Sequence, residues 1–526
     1  MTSDPLLVGI DLGTTNIKAL VFDPRGRIMA EASLPTPTHY PRPSWAYFNP
    51  EELWQTTLTA LKQAIDQLNK SGLNPKQIAG IAAASFGETG VPLDAHGHPT
   101  AEAIAWFDQR STPQMDWLAN HIGQERLFAV SGLPILVIYG LCKLLWFKEN
   151  DPDAFARTAL WLNGADYIAY RLCGVPATDY SLASRTMALN LYDRRWAEDL
   201  LEEIGLSPHP FAPLASSGAA LGPIRPEVAK AVGLPDHTRI AVGGHDHICA
   251  AFGIGVNRPG EALNSFGTAE AIFLPLEKPL TDPIVGHQGY TQGLLSVKDQ
   301  DYYFALGGLY TAGGSIEWLR EVLSGSLLPD QLIDYATLIS EAEQVPAGSL
   351  GVCFLPYLRL ANPPHNDAKA RGAFIGLSTD AKRGVLFRAV LEGLAYEVRL
   401  CMEGILAHQG KTSPDQLYVT GGGSRNSLYM RIKATTLNQP VTVVDVAESV
   451  ALGAAIMGGL GAGVYRDVAS ALEAVHYNRK QVNPDSELVD LYDHYYHQVY
   501  KHIYAALRPL HHQLYDLQMQ RVGIGD

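Results

Sequence analysis

The sequence predicts an α/β protein built from two similar units with a cleft between them. Three observations predict this. The opening stretch LLVGIDLGTTNIKALVF reads as a strand, a Gly-Thr-Thr turn and a second strand, and EALNSFGTAEAIFLP, from Glu261 to Pro275, repeats that order. RIAVGGHDHICAAFGIGV, from Arg239 to Val256, runs strand, glycine turn, helix, and QLYVTGGGSRNSLYMRIKATTL, from Gln416, does the same. At 526 residues the chain also exceeds what one typical hydrophobic core encloses.

The elements follow in order. VGI before Asp11 and IKALVF after Asn16 are β-branched and apolar enough for two buried strands. DPRG, Asp23 to Gly26, is a turn, and RIMAEASL alternates as a third strand. PEELWQTTLTALKQAIDQL, Pro50 to Leu68, has apolar residues at helical spacing and a proline at its start. IAGIAAAS reads as a buried strand, and GLCKLLWFKEN before Asp151-Pro152 as a further helix. SVALGAAIMGGLGAGV, Ser449 to Val464, is the longest uncharged run. It falls short of the ~20 residues a bilayer requires and reads as a close-packed helix. After about Tyr465 the chain turns helical and polar, closing in LYDHYYHQVYKHIYAALRPLHHQLYDLQMQ. His511 and His512 there have no carboxylate or cysteine at ligand spacing, which argues against a metal role.

Composition narrows the class. Hydrophobic residues at 47% and charged residues at 18% describe a globular chain. A net charge of −14 argues against nucleic acid or an anionic membrane as partner. The five cysteines are scattered and form no C-x-x-C pair, which fits a reducing compartment and no metal or disulfide framework. The start MTSDPLLVGIDLG lacks a basic region and its apolar run is broken by Asp11, so a soluble cytoplasmic protein is expected.

The turn after Asp11 gathers a carboxylate, two hydroxyls and several backbone N–H groups at a strand end. Such groups suit a metal–polyphosphate. They suit equally an ordinary hairpin whose Asp and Thr side chains cap the turn.

Further stretches decide between these. GIDLGTTNIKALVFD, VPLDAHGHPTAEAIAWFDQRS, YIAYRLCGVPATDYSLASRTMALN, VGGHDHICAAFGIGV, FGTAEAIF, TAGGSIEWLRE, ARGAFIGLS, FRAVLEGLAYEVR and VTGGGSRNSLYMRIKATTLNQPV occur in that order. Together, over roughly residues 6 to 465, they resemble the FGGY family of carbohydrate kinases, the group that includes glycerol kinase, xylulokinase and fuculokinase. The resemblance implies two actin-like (ribonuclease H-like, hexokinase-type) α/β domains with nucleotide in the cleft between them. It divides the chain into an N-terminal domain at 1–256 carrying the sugar and the catalytic aspartate, a nucleotide-binding domain at 257–465 and a helical extension at 466–526. It implies ATP and Mg²⁺ as cofactors and a small sugar or polyol as partner, and a homodimer is one assembly it leaves open.

Site residues follow from the same resemblance. Asp246 is the expected general base, and Asp11 the expected holder of Mg²⁺. Gly13, Thr14, Thr15 and Asn16 are expected at the β- and γ-phosphates, with Lys18 as neutralising charge and Thr268 as the contact from the opposite domain. Gly313, Gly314 and Glu317 occupy the family's nucleotide-facing turn, and Gly421, Gly422 and Asn426 its adenosine-binding turn. For the acceptor sugar the expected residues are Glu88, Trp106, Asp108, Arg110, Tyr139, Asp246 and His247. Asp108 and Arg110 read equally well as a structural salt bridge.

Gly87 stands where glycerol kinase has an arginine and Phe86 where several members have glutamine, which disfavours glycerol itself. GGHDH with SFGETG lies nearest the fuculokinase-like side. The sequence thus implies ATP-dependent phosphorylation of a sugar or sugar alcohol, such as fuculose or xylulose. An actin-fold ATPase switch or a sugar-sensing regulator without turnover is the alternative.

Overall fold

A computed structural model of the chain describes residues 4–298 and 300–522. Leu6–Leu12 (β1), Asn16–Phe22 (β2) and Ile28–Pro35 (β3) form an antiparallel meander, as the apolar runs and the Asp23 turn dictate. Helix Pro50–Lys70 (α1), capped by the Asn49 side chain, lays its apolar stripe of Leu53, Ala60, Leu61, Ala64 and Leu68 toward β2 and β3. Ile78–Ser85 (β4) runs parallel to β1, and Arg239–Ala241 (β6) parallel to β4. Ala220–Pro223 (β5) closes the edge, giving the order β5-β6-β4-β1-β2-β3.

The second half repeats this plan. Glu261–Phe266 (β7), Glu270–Leu276 (β8), Thr291–Val297 (β9), Gln300–Leu309 (β10), Gln416–Thr420 (β11), Val441–Asp445 (β12) and Asn478–Val482 (β13) form a sheet ordered β9-β10-β8-β7-β11-β12-β13. In both sheets three antiparallel strands are followed by two parallel ones: β3-β2-β1-β4-β6 and β10-β8-β7-β11-β12. Each first hairpin carries the Gly-Thr turn.

Two details differ from the sequence expectation. By position in the sheet, β6 and the helix after it, Asp246–Ile254 (α2), correspond to β12 and its helix Ser449–Gly461 (α6), not to β11 and Ser427–Thr436 (α5). Glycine turns follow both β6 and β11, which hides the true pairing in the sequence. The second concerns the proposed extension. It is not helical throughout, because Asn478–Val482 adds the edge strand β13 to the second sheet.

Helix α6 also returns to the first half, packing on β1, β4 and α2. The α2–α6 crossing is backbone against backbone. A Cβ on Gly253 would sit 2.1 Å from the Ser449 carbonyl oxygen, and one on Gly453 1.9 Å from that of Cys249. The two helices therefore approach as closely as bare backbone allows. No helix among the described residues is long and apolar enough to cross a membrane. The chain ends in Val489–Tyr495 (α7), a π turn at Tyr496–Tyr500 and Lys501–Val522 (α8).

Candidate active site

Between the two sheets lies a cavity of about 420 Å³. Thr14, Glu88, Trp106, Asp246 and His247 line it from the first half, and Ala269, Leu306 and Tyr310 from the second.

Asp246 is the first residue of α2, not its cap; His245 takes the cap position. The Asp246 Oδ1 accepts the His247 N–H at 2.6 Å and lies 3.2 Å from His245 Nε2. Burial holds the His245 imidazole far below its usual pKa, which favours the neutral ring. Burial raises the Asp246 carboxyl, with the nearby His247 opposing that shift. Among the described residues, His245, Asp246 and His247 bring one ligating atom each within 4.8 Å of one another.

Asp11 is the penultimate residue of β1, directly opposite Lys18 in the β1–β2 register. Its carboxyl is pushed up to about 7, first by burial and then by the negative charge of Asp246. Lys18 only partly offsets this, because its ammonium is paired to Glu448 at 2.8 Å. Two neighbouring carboxylates short of positive charge are a donor set that fits a divalent cation.

The Gly13–Asn16 turn is braced from behind. The Gly13 N–H bonds the Asn16 carbonyl at 3.1 Å, and the Thr36 hydroxyl donates to the Gly13 carbonyl at 2.6 Å. Trp106 Nε1–H donates to Thr14 Oγ1 at 3.0 Å, which leaves the threonine O–H free to donate. The tryptophan thus joins the expected phosphate turn to the expected sugar wall. Thr15 is exposed beside it.

Glu88 sits at a positive φ of 62°, an uncommon conformation for a non-glycine residue, with its side chain 6% exposed. Arg185 grips Glu88 Oε1 through Nε and Nη2. Lys143 Nζ donates to the Glu88 carbonyl at 2.6 Å, and burial pushes this lysine down to about 7. The sequence reading missed Arg185, although it lies in the quoted SLASRTMALN segment; its partner is 97 residues away.

Not every expected sugar contact reaches the cavity. Asp108 and Arg110 pair with each other instead, at 2.9 and 2.8 Å, and the guanidinium carbon lies 4.0 Å from the Trp45 ring centre. The Asp108 carboxylate also accepts the Ala46 N–H, so it is spent on holding that loop. Their salt-bridge alternative is the observed one. Tyr139 is fully buried behind Arg185 and does not line the cavity.

Across the cleft, the Gly267–Ala269 turn presents Thr268. The Gly314 N–H donates to the Thr268 carbonyl at 3.0 Å, tying helix Ala312–Ser324 (α3) to the turn. A Cβ on Gly313 would sit 2.4 Å from the Gly267 carbonyl oxygen, so these glycines seat the turn. Glu317 is held by Arg320 at 3.1 Å and by the Tyr335 hydroxyl. Asn426 caps α5, accepting the Tyr429 N–H at 3.1 Å. At Gly422 a Cβ would meet nothing within 4 Å, so bare backbone faces open space there. Helix Arg383–Ala407 (α4) runs through the core of this half.

Comparison with known proteins agrees with the geometry. Residues 6–253 match the FGGY family of carbohydrate kinases, N-terminal domain, and residues 262–462 its C-terminal domain. The chain is 28% identical over 504 residues to a xylulose kinase of Bacillus subtilis, covering 96% of this chain and 97% of that one. It is 30% identical over 479 residues to an L-fuculokinase of Haemophilus influenzae, covering 90% and 98%. The crystal structure of xylulose kinase from Rhodospirillum rubrum superposes with a TM-score of 0.86 at 27% identity, covering 96% of this chain and all 100% of that one. The chain belongs to the FGGY family of carbohydrate kinases, enzymes that phosphorylate a sugar or polyol at the expense of ATP.

Proposed function

We propose that the protein moves the γ-phosphoryl group of ATP to a hydroxyl of a free ketose, in the cytoplasm, with Asp246 as general base. The seat of Asp246 carries this proposal. Its carboxylate stands at the N-terminus of α2, 3.2 Å from His245 Nε2, on the wall of a cavity that both halves line.

The acceptor hydroxyl would lie against Asp246, which takes its proton as the new P–O bond forms and the bond from the γ-phosphorus to the leaving ADP oxygen breaks. Glu88, fixed by Arg185, offers its remaining carboxylate oxygen to neighbouring hydroxyls, and Trp106 an apolar wall to the carbon face. Thr14, Thr15 and the N–H groups of their turn would orient the phosphates from one side and Thr268 from the other. The bare backbone at Gly422 would receive the purine. Mg²⁺ bound at Asp11 would supply charge neutralisation on the β- and γ-phosphates. A ketose is favoured over glycerol because Gly87 brings no polar group to the acceptor, and because the relatives named above act on xylulose and fuculose.

Coupled ADP release with Mg²⁺-ATP over ketoses, aldoses and polyols tests this. One or two ketoses should stimulate release, and Asp246→Asn should cut that turnover by about two to four orders of magnitude while nucleotide still binds. Most of the turnover surviving in Asp246→Asn would refute the base assignment.

A further inference from the structure

The family match ends at residue 462, and helices α7 and α8 lie beyond it. They nevertheless touch the cleft at one remove. Loop 361–370 puts Pro363 on the cavity wall, next to Tyr310. The loop is folded on itself, with the Ala361 N–H donating to the Asp367 carbonyl at 2.9 Å and the His365 N–H to the Asn362 carbonyl at 2.9 Å.

Two connections run from this loop to the C-terminal helices. The first is a buried relay. Asn362 Oδ1 accepts the Tyr310 N–H at 2.8 Å, and its Nδ2 lies 3.4 Å from Glu397 Oε1. The Tyr500 hydroxyl, at the end of the π turn, donates to Glu397 Oε2 at 2.8 Å. The second is a clamp on Asp367. Its Oδ2 receives the Tyr504 hydroxyl at 2.9 Å and His512 Nε2 at 2.7 Å, while the His365 ring stacks on Tyr504 at 3.9 Å. His512 thus has a carboxylate partner after all, from a loop 145 residues away.

We propose that the C-terminal helices are a positioning element for the acceptor pocket. Tyr500 acts through Glu397 and Asn362, and Tyr504 and His512 act through Asp367, to fix where Tyr310 and Pro363 stand on the cavity wall. None of the three is a catalytic residue. Each works by removing alternatives for a wall that the sugar must fit, as outer supports of a binding site do. The proposal rests on reading the cavity as the acceptor site.

The full-length enzyme carrying Tyr500→Phe and His512→Ala tests it. Losing two hydrogen bonds, one of them to a buried carboxylate, should raise KM for the stimulating sugar about tenfold. KM for ATP and kcat should stay within about twofold, and His512→Gln in place of His512→Ala should restore part of the sugar KM. An unchanged sugar KM, or an equal rise in both KM values, would overturn the proposal, whatever happens to the melting temperature. Asp246→Asn run in parallel keeps the two questions apart. If that variant turns the sugar over like the wild type, or no sugar is turned over at all, the reading of the cavity fails and the proposal with it.

Discussion

The two Gly-Thr hairpins occupy the same place in the same sheet order, yet their charges are used in opposite ways. At the first, Asp11, next to the Gly13–Asn16 turn, has a carboxyl raised to about 7, and the nearby Lys18–Glu448 pair is 30% and 25% exposed. At the second, Glu270 begins β8 two residues after Thr268 and is paired to Lys433 with both side chains 0% exposed. Asn264 also accepts from Lys433, and the Tyr429 hydroxyl donates to Glu270 at 2.9 Å. The Asp11 carboxylate is left short of positive charge, as the metal-holding role proposed for it requires. The Glu270 carboxylate is completed by the protein itself.

The largest effect expected from this contrast is on stability. Lys433→Met should strand the Glu270 carboxylate in the core and cost about 3–5 kcal/mol, read as a shift in the urea midpoint. Adding Glu270→Gln should recover much of that loss, since the stranded charge is gone. Equal losses in single and double variants would show that packing, not charge, is what Lys433 supplies.

A smaller effect concerns pH, and each half carries one probe. Asp166 in the first half and Glu397 in the second are both raised to about 7, in each case chiefly by burial. In the unfolded chain such groups lose their protons near pH 4. Between about pH 4 and 7 the native state therefore holds protons that the unfolded state has lost, so stability falls as pH rises through that window. The slope is about 1.4 kcal/mol per pH unit for each whole proton. Above 7 the slope from these groups ends, and buried Lys143, lowered to about 7, then makes stability rise with pH. Metal-free protein unfolded in urea between pH 5 and 7 should show the falling stability. Asp166→Asn and Glu397→Gln should each flatten it, independently, because they lie in different cores. A slope untouched by either would mean that both carboxyls are ionised in the native state.

What could be read from the sequence was local. The strand–turn–strand of Leu6 to Phe22 and its echo at Glu261 are written in contiguous apolar runs and turn residues. Asp246 was named through the family resemblance that VGGHDHICAAFGIGV helps to carry. Contacts between distant segments left no such trace. Arg185 meets Glu88 across 97 residues and Lys433 meets Glu270 across 163. Asp108 and Arg110 are only two apart, so their pairing was already visible as one of two readings. Strand β13, Asn478–Val482, was read as part of a helical tail because NRKQV is almost wholly exposed and polar. An edge strand carrying charge looks like surface, which is what protects it from pairing with another chain.

The smallest predicted effect tests the other side of the opening contrast. Lys18 and Glu448 belong to different ends of the chain, 430 residues apart, and meet where α6 returns to the first sheet. If the pair served stability as Lys433 and Glu270 do, Lys18→Ala would cost several kcal/mol. A half-exposed ion pair is screened by water and salt and is worth at most about 1 kcal/mol. Lys18→Ala should therefore leave the urea midpoint nearly unchanged, and still less changed in 1 M salt. Its consequence should appear at Asp11, whose ionised form loses the cation opposite it and becomes harder to reach. The Mg²⁺ concentration for half-maximal turnover should then rise, and rise more at pH 6.5 than at pH 8, because the higher pH favours the ionised form of Asp11. A large stability loss with an unchanged Mg²⁺ requirement would place Lys18 with Lys433 and dissolve the distinction between the two hairpins.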